Sequence, residues 1–215
     1  MFYDAIKNDH GLKRDPFKAI VSPRPIGWIS SVNRAGQVNL APYSFFNAVS
    51  HSPPIVMFSS EDRKDSHANI EETGEFVCNL ATYDLREAVI DTSEPLEPGI
   101  DEMEFAGLDA APSRMVRPPR VAASPCALEC KLLQVIQLSD LDGSPIERFM
   151  ILGRVVGIHL DDRFLENGML NTAAMRPLAR CGYLDYAMTD ATFPLTRKSG
   201  KPMKGQRIRP AANPA

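Results

Sequence analysis

The alternation of apolar and polar positions along the chain predicts strands joined by proline-rich loops. Two long segments, 127–138 and 148–160, have the length and alternation of strands, and the polar residues 140–144 between them have the composition of a hairpin turn. Earlier in the chain, a strand is expected at 27–32, and 55–58 is an apolar run short enough to be a buried strand. The pattern therefore predicts a mainly β protein, a β-barrel with short helices.

Local signals predict the remaining elements. We expect strands at 17–21, 38–41 and 76–80, with pairing of the second ending at Pro42, which has no N–H to donate. We expect short helices at 68–73, 84–90 and 163–170, the first capped by Ser66 and ended by Gly74. Residues 91–124 contain few periodic segments, so a role at an interface or a ligand site is expected there.

Composition limits the class of protein. A chain of 215 residues with net charge -3 and 44% hydrophobic residues is typical of one globular domain. We predict a single domain over 1–195 with an N-terminal arm, followed by a basic, flexible tail over 196–215. The tail lacks aromatic residues and the body is acidic, so no nucleic-acid partner is expected. Four scattered cysteines, no secretory leader and no long apolar run predict a cytoplasmic protein without membrane segments.

The stretch 38–66 carries the candidate chemistry. It places hydroxyls, an amide and two cations around a short apolar strand, and these groups suit a planar ligand that bears a phosphate. At its end, the cations Arg63 and Lys64 precede Ser66, where the free amides and dipole of a helix start would favour an anion. Ser60, at the end of the apolar strand, could reach polar or phosphate oxygens of such a ligand. The alternative is a solvated surface cluster that only caps the helix.

Other classes of site have no support in the sequence. There is no G-x-G-x-x-G after a strand, no P-loop and no G-x-S-x-G, so Rossmann, NTPase and α/β-hydrolase sites are not predicted. No two histidines have metal-ligand spacing, and Cys126 and Cys130 lack a second pair, so no metal is expected.

The motifs themselves resemble a known family. Pro23-Arg24-Pro25-Ile26-Gly27-Trp28-Ile29-Ser30, the run from Asn39 to Ser50, Pro53-Pro54-Ile55-Val56, Lys64-Asp65-Ser66 and Phe76-Val77-Cys78-Asn79-Leu80 are similar in order and spacing to flavin reductase-like proteins. The resemblance implies the FMN-binding split barrel and a homodimer. It also implies residues that contact the flavin ring: Ser44, Asn47, Ala48, Val49, Ser50 and, in the C-terminal segment, Tyr183.

The resemblance further implies a reaction. NADH or NADPH would pass a hydride to flavin N5, so the cofactor rather than a side chain carries the chemistry, and His159 is the candidate side chain near the substrate. Electrons would then go to a partner oxygenase, as free reduced flavin, or to a bound acceptor. The alternatives are an FMN-binding electron carrier or redox sensor without nicotinamide activity, and a barrel that has lost its cofactor.

Overall fold

The structure is a computed structural model that describes residues 1–97 and 99–195; the predicted tail lies outside the described residues. The strands are, in chain order, β1 (Arg24–Pro25), β2 (Gly27–Val32), β3 (Val38–Tyr43), β4 (Phe46–His51), β5 (Pro54–Glu61), β6 (Glu75–Leu80), β7 (Ala110–Ala111), β8 (Arg120–Val121), β9 (Cys126–Ser139), β10 (Pro145–Leu160), β11 (Leu165–Glu166), β12 (Met169–Leu170), β13 (Leu178–Arg180) and β14 (Tyr186–Met188). The helices are α1 (Phe17–Ile20), α2 (Asp65–Thr73), α3 (Arg86–Asp91), α4 (Glu102–Phe105) and α5 (Thr172–Met175), with short 3₁₀ turns at Tyr83–Leu85 and Asp162–Phe164.

A seven-stranded antiparallel sheet in the order β3-β2-β6-β9-β10-β5-β4 organises the chain. The predicted long strands are its β9 and β10, which pair along most of their length. A second sheet, β1-β13-β14, joins the beginning of the chain to its C-terminal segment. The mainly β prediction is confirmed.

Four local predictions were wrong. Residues 17–20 form a helical turn rather than a strand, and 46–51 form a strand that was not predicted. Pro42 does not end β3, because β3 is an edge strand and can accommodate a residue without an N–H. Residues 163–170 hold a 3₁₀ turn and the β11–β12 hairpin instead of a helix.

Strand β2 is buried along its whole length because both faces of the sheet are covered. Ile29 belongs to one core, with Phe58, Phe76 and Ile70 from α2. Trp28, on the opposite face of β2, belongs to a second core. Because neighbouring residues of a strand point to opposite faces, one apolar strand supplies both cores.

The excursion at 91–124 covers the second core. Its Met103 and Val121 are buried against Trp28, and the side chain of Asn79 accepts a hydrogen bond from the Val121 amide at 2.8 Å. The Trp28 indole Nε1 donates to Thr92 Oγ1 at 2.9 Å. This long segment is therefore a cover for the sheet, and Trp28 is a core residue.

Candidate functional site

A cleft of about 560 Å³ lies between the small sheet and the β4–β5 edge of the large one. We call it the Phe45 cleft. Its walls are mostly apolar and come from separate parts of the chain: Ile20, Val21, Phe45, Phe46, Met57, Leu138 and Met150. The volume and the apolar lining are typical of sites for small organic ligands and cofactors.

Polar groups reach the Phe45 cleft at a few positions. Ser44 and Asn47, two of the residues predicted to contact the flavin ring, line the cleft, and so does Ser59. The Asn47 side-chain Oδ1 accepts a hydrogen bond from the Ala48 backbone amide at 2.8 Å, at the start of β4. The sequence-based prediction named Ser60 and not Ser59. Because side chains alternate between the two faces of β5, it is Ser59 that faces the cleft.

Arg24 is the cation of this cleft. It is 7% exposed, although it lines the cleft, and its guanidinium lies 5.6 Å from the centroid of the Phe45 ring. The Nη1 atom donates to the carbonyls of Lys18 and Val21, and Nη2 donates to the Cys181 carbonyl at 3.1 Å. Sequence reasoning did not select Arg24 as a site residue.

The other predicted ring residues face a different depression. Ala48, Val49 and Ser50 line a groove of about 460 Å³ with Val155 and Ile158, which we call the β4 groove. Val49 and Ile158 are 51% and 59% exposed. The predicted ring set is thus divided between two neighbouring depressions, with Ser44 and Asn47 in one and residues 48–50 in the other.

The predicted phosphate residues surround the start of α2. Lys64 is the N-cap residue of α2 and is exposed, and no side chain caps the free amides of the first turn. Arg63 is also exposed and pairs with Glu71, one turn from the C-terminal end of α2. Ser66 lies inside the first turn, two positions after the N-cap, so its predicted capping role is wrong.

Ser60 and Ser66 are buried and lie together. Ser66 Oγ is 2.7 Å from the Asn39 side chain, and both hydroxyls face the Tyr43 hydroxyl. Burial raises the pKa of Tyr43, and the hydrogen bonds from Ser66 and Ser60 only partly offset this effect. The two serines therefore belong to a neutral hydroxyl network below α2, while Arg63 and Lys64 remain on its surface.

Glu102 from α4 lies beside this network. Its carboxylate accepts a hydrogen bond from the Leu40 amide at 2.9 Å. Burial raises its pKa, and Asp65 and Asp101 act in the same direction. The excursion thus reaches the β3 edge next to the start of α2.

Tyr183 and His159 lie apart from the Phe45 cleft. Tyr183 is 44% exposed and its carbonyl accepts a hydrogen bond from Arg180 at 2.6 Å. His159 Nε2 contacts the carboxylate of Glu129, which is fully buried on β9. The same carboxylate accepts hydrogen bonds from the Arg114 and Met115 amides, so His159 takes part in holding the excursion on the sheet.

A third cavity, of about 380 Å³, lies between α3 and the small sheet. Tyr83 and Tyr186 line it, and each ring has a guanidinium over its face: Arg86 at 4.4 Å from the Tyr83 centroid and Arg180 at 4.4 Å from the Tyr186 centroid. Arg176 also lies over Tyr83 and pairs with Asp84. Arg176 and Arg180 belong to the same C-terminal segment as Tyr183.

The residues of the Phe45 cleft fit a flavin. A flavin ring requires apolar cover on its faces and polar groups at its pyrimidine edge, and the cleft offers aromatic and thioether walls with Ser44, Asn47 and Ser59. The Nε–H of Arg24 is buried without an acceptor, which marks a donor that the protein leaves unused. The exposed cations Arg63 and Lys64 at the start of α2 are groups of the type that a phosphate requires.

Neither a metal site nor a membrane-spanning helix is found in the described part of the chain. Within residues 1–97 and 99–195, no group of three or more His, Cys, Asp or Glu side chains could hold a metal ion. No helix in this part of the chain has the length and apolar character needed to cross a bilayer. The cytoplasmic location stays a prediction.

Comparison with known proteins places these features in a family. Residues 21–179 match the family model described as flavin reductase like domain. Nitrilotriacetate monooxygenase component B from Bacillus cereus has a similar structure, with TM-score 0.81 and 29% identity over 91% of this chain and 98% of that one. Pseudomonas fluorescens 2-nitrobenzoate 2-nitroreductase NbaA gives TM-score 0.81 and 28% identity over 95% and 100%.

A protein with a split barrel domain from Shewanella frigidimarina shows the fold, with TM-score 0.80 and 20% identity over 92% of this chain and 99% of that one. The predicted family and the split-barrel class are confirmed, and the match supports the predicted flavin cofactor, FMN. The chain belongs to the flavin reductase-like family and is a flavin-binding oxidoreductase with the split-barrel fold.

Proposed function

We propose that this protein binds FMN without a covalent bond and reduces it with NADH or NADPH. The observation that carries the proposal is the Phe45 cleft, in which aromatic and thioether side chains form the walls and Ser44, Asn47 and Ser59 supply hydrogen-bonding groups. Family membership supports the same cofactor. Bound FMN would supply the redox chemistry, accepting electrons from a nicotinamide and passing them to an acceptor.

In this proposal the protein binds and orients the cofactor. Phe45, Met57 and Met150 exclude water from the ring faces, and Ser44 and Asn47 hold its polar edge. Arg63 and Lys64, with the free amides at the start of α2, hold the phosphate. The predicted residues 48–50 would contact the part of the ring that extends along β4 into the β4 groove. Ser60, Ser66 and Tyr183 stay predicted contacts.

The test is an absorbance titration. Purified protein is mixed with FMN, freed of unbound flavin, and treated anaerobically with NADH and, separately, with NADPH. We expect a flavin band that is retained by the protein and bleached by one or both nucleotides. Retained flavin that neither nucleotide bleaches would favour the carrier or sensor hypothesis, and protein that takes up no FMN would contradict the whole proposal.

A nucleotide subsite is proposed at the third cavity. Arg180 lies over Tyr186, which lines that cavity, and a guanidinium next to an aromatic ring suits a phosphate and a base. We expect Arg180→Ala to raise the KM for NAD(P)H several-fold with little change in kcat. Arg163→Ala, which removes an exposed arginine elsewhere, is the matched control. An unchanged KM for NAD(P)H in Arg180→Ala would contradict the proposed nucleotide subsite.

The apolar surface around the β4 groove is proposed as a homodimer interface. Val49, Leu133, Ile158 and Leu160 are large apolar side chains on β4, β9 and β10, and each is at least 46% exposed. We expect light scattering to give a dimer for the native protein and a monomer for Ile158→Asp. A native monomer would contradict the interface.

The domain boundaries are also a proposal. Pairing of β1 with β13 connects residue 24 to residue 180, so the described chain is expected to unfold as one unit. The electron acceptor is proposed to be a partner oxygenase or a bound acceptor. The oxygenase hypothesis draws on the similarity to a monooxygenase component, and its test is whether reduced FMN leaves the protein in anaerobic ultrafiltration.

A further inference from the structure

Arg24 places an uncompensated positive charge in the wall of the Phe45 cleft. It is almost completely buried, and no carboxylate in residues 1–97 or 99–195 lies within 4.0 Å of its guanidinium nitrogens. Its hydrogen-bond acceptors are the neutral carbonyls of Lys18, Val21 and Cys181. A buried cation is costly unless it is paired, so this arrangement needs a further reason.

The contacts hold the guanidinium in one orientation. An arginine has five N–H donors, and three of them serve the carbonyls. One hydrogen on Nη2 and the Nε–H remain, and the buried Nε–H has no acceptor in the described chain. Phe45, a wall of the cleft, packs against the same guanidinium. The guanidinium is therefore held in one orientation, with its charge unpaired beside the wall of the cleft.

We propose that Arg24 is the counter-charge for the pyrimidine end of reduced flavin in the Phe45 cleft. This inference rests on the proposed function. Two electrons and one proton convert the neutral oxidised ring into a form with a negative charge spread over N1 and O2. A cation fixed in a low-dielectric wall stabilises that charge and interacts only weakly with the oxidised ring. Arg24 consequently sets the redox preference of the site.

The ring end is favoured over the phosphate by the surroundings of Arg24. The cleft walls next to it are apolar, which suits a flat ring, and the cations suited to a solvated phosphate are the exposed Arg63 and Lys64. A side chain that acts on the ring should change the binding of FMN and of riboflavin to the same extent. A side chain that acts on the phosphate should change the binding of FMN alone.

The experiment measures the affinity of each protein for oxidised and dithionite-reduced FMN and riboflavin under anaerobic conditions. We expect the native protein to bind reduced FMN at least tenfold more tightly than oxidised FMN. We expect Arg24→Gln to lose about tenfold of this preference, which lowers the two-electron potential of the bound flavin by about 30 mV. Arg24→Lys keeps the charge and should stay within threefold of the native preference.

Arg163→Gln is the matched control because it removes one positive charge from an exposed pair. Circular dichroism establishes that each variant is folded. If the native protein binds oxidised and reduced flavin with equal affinity, the inference is overturned by that measurement alone. The inference therefore remains testable even if Arg24→Gln does not fold. An unchanged preference in folded Arg24→Gln, an equal loss in Arg24→Lys, or a loss confined to FMN also overturns it. Failure of the native protein to bind any flavin would instead contradict the proposed function.

Discussion

Replacing Glu129 by glutamine should destabilise the protein, because one buried carboxylate holds the excursion at 91–124 on the sheet. Glu129 is fully buried and accepts hydrogen bonds from the amides of Arg114 and Met115, at 2.8 and 2.5 Å, as well as contacting His159. Glutamine keeps one oxygen but places an NH₂ group toward a neighbouring donor. At least one charge-assisted bond is then lost and one buried donor is left without an acceptor.

The magnitude follows from these contacts. A hydrogen bond to a charged group contributes roughly 1.5–3 kcal/mol, and Glu129 accepts two such bonds from backbone amides. We therefore expect Glu129→Gln to lower the free energy of unfolding by about 3 kcal/mol at pH 7. Glu61→Gln is the control, since Glu61 and Arg148 form an exposed pair at 3.8 Å and such pairs contribute about 0–1 kcal/mol.

The effect should depend on pH in a defined direction. Burial acts to raise the pKa of Glu129, but the two amides and His159 outweigh it and hold the pKa below its ordinary value. The contribution is complete above the unfolded-state pKa of about 4.3 and is lost as the pH falls through the lower folded-state value. Urea denaturation followed by circular dichroism at pH 7 and below pH 4 measures both quantities. A loss under about 1 kcal/mol at pH 7 would refute the reasoning.

Three further predictions concern packing and binding. Gly27→Ala should cost about 1–3 kcal/mol of stability, measured by urea denaturation, because the new Cβ would lie 2.6 Å from Phe46 Cδ2; a variant as stable as the native protein would contradict this packing. Thr92→Val should cost about 1–3 kcal/mol by leaving the buried Trp28 indole without its acceptor, and tryptophan emission follows its unfolding. Lys64→Gln should weaken FMN binding about three- to tenfold in a fluorescence titration and leave riboflavin unchanged, since only FMN carries the phosphate; equal effects on both ligands would exclude a phosphate contact.

The sequence could predict elements whose signal is local. The two long strands and the end of α2 at Gly74 follow from alternation and from the positive φ that glycine adopts there. Strand β4 was missed because its mixture of aromatic and polar residues has no regular alternation, and it depends on pairing with β5. The prediction that strand pairing ends at Pro42 was wrong for a similar reason, because a local sequence pattern does not identify which strand lies at the edge of a sheet.

The candidate site was predictable to a similar extent. Ser44 and Asn47 carry polar groups in a matched motif and lie together in the Phe45 cleft. Arg24 stands in an equally well-matched motif, but its burial arises from contacts as distant as Cys181, 157 positions along the chain. Ser59 and Ser60 are adjacent and chemically identical, and only the register of β5 determines that Ser59 lines the cleft while Ser60 faces Tyr43. Long-range contacts and register are not encoded in a local pattern.

The two proposals for reduced flavin require opposite properties of the same site. A counter-charge at Arg24 favours retention of reduced flavin, whereas delivery to an oxygenase requires its release. A counter-charge lowers the free energy of the reduced complex, so reduced FMN should leave more slowly than oxidised FMN, and electrons should pass to an acceptor that reaches the bound flavin. Anaerobic ultrafiltration of the reduced native protein is expected to retain the flavin, whereas Arg24→Gln should release more of it. If the native protein releases reduced FMN as readily as the variant does, delivery to a separate oxygenase becomes the better account, and the charge of Arg24 serves only to join residues 18–21 to the C-terminal segment.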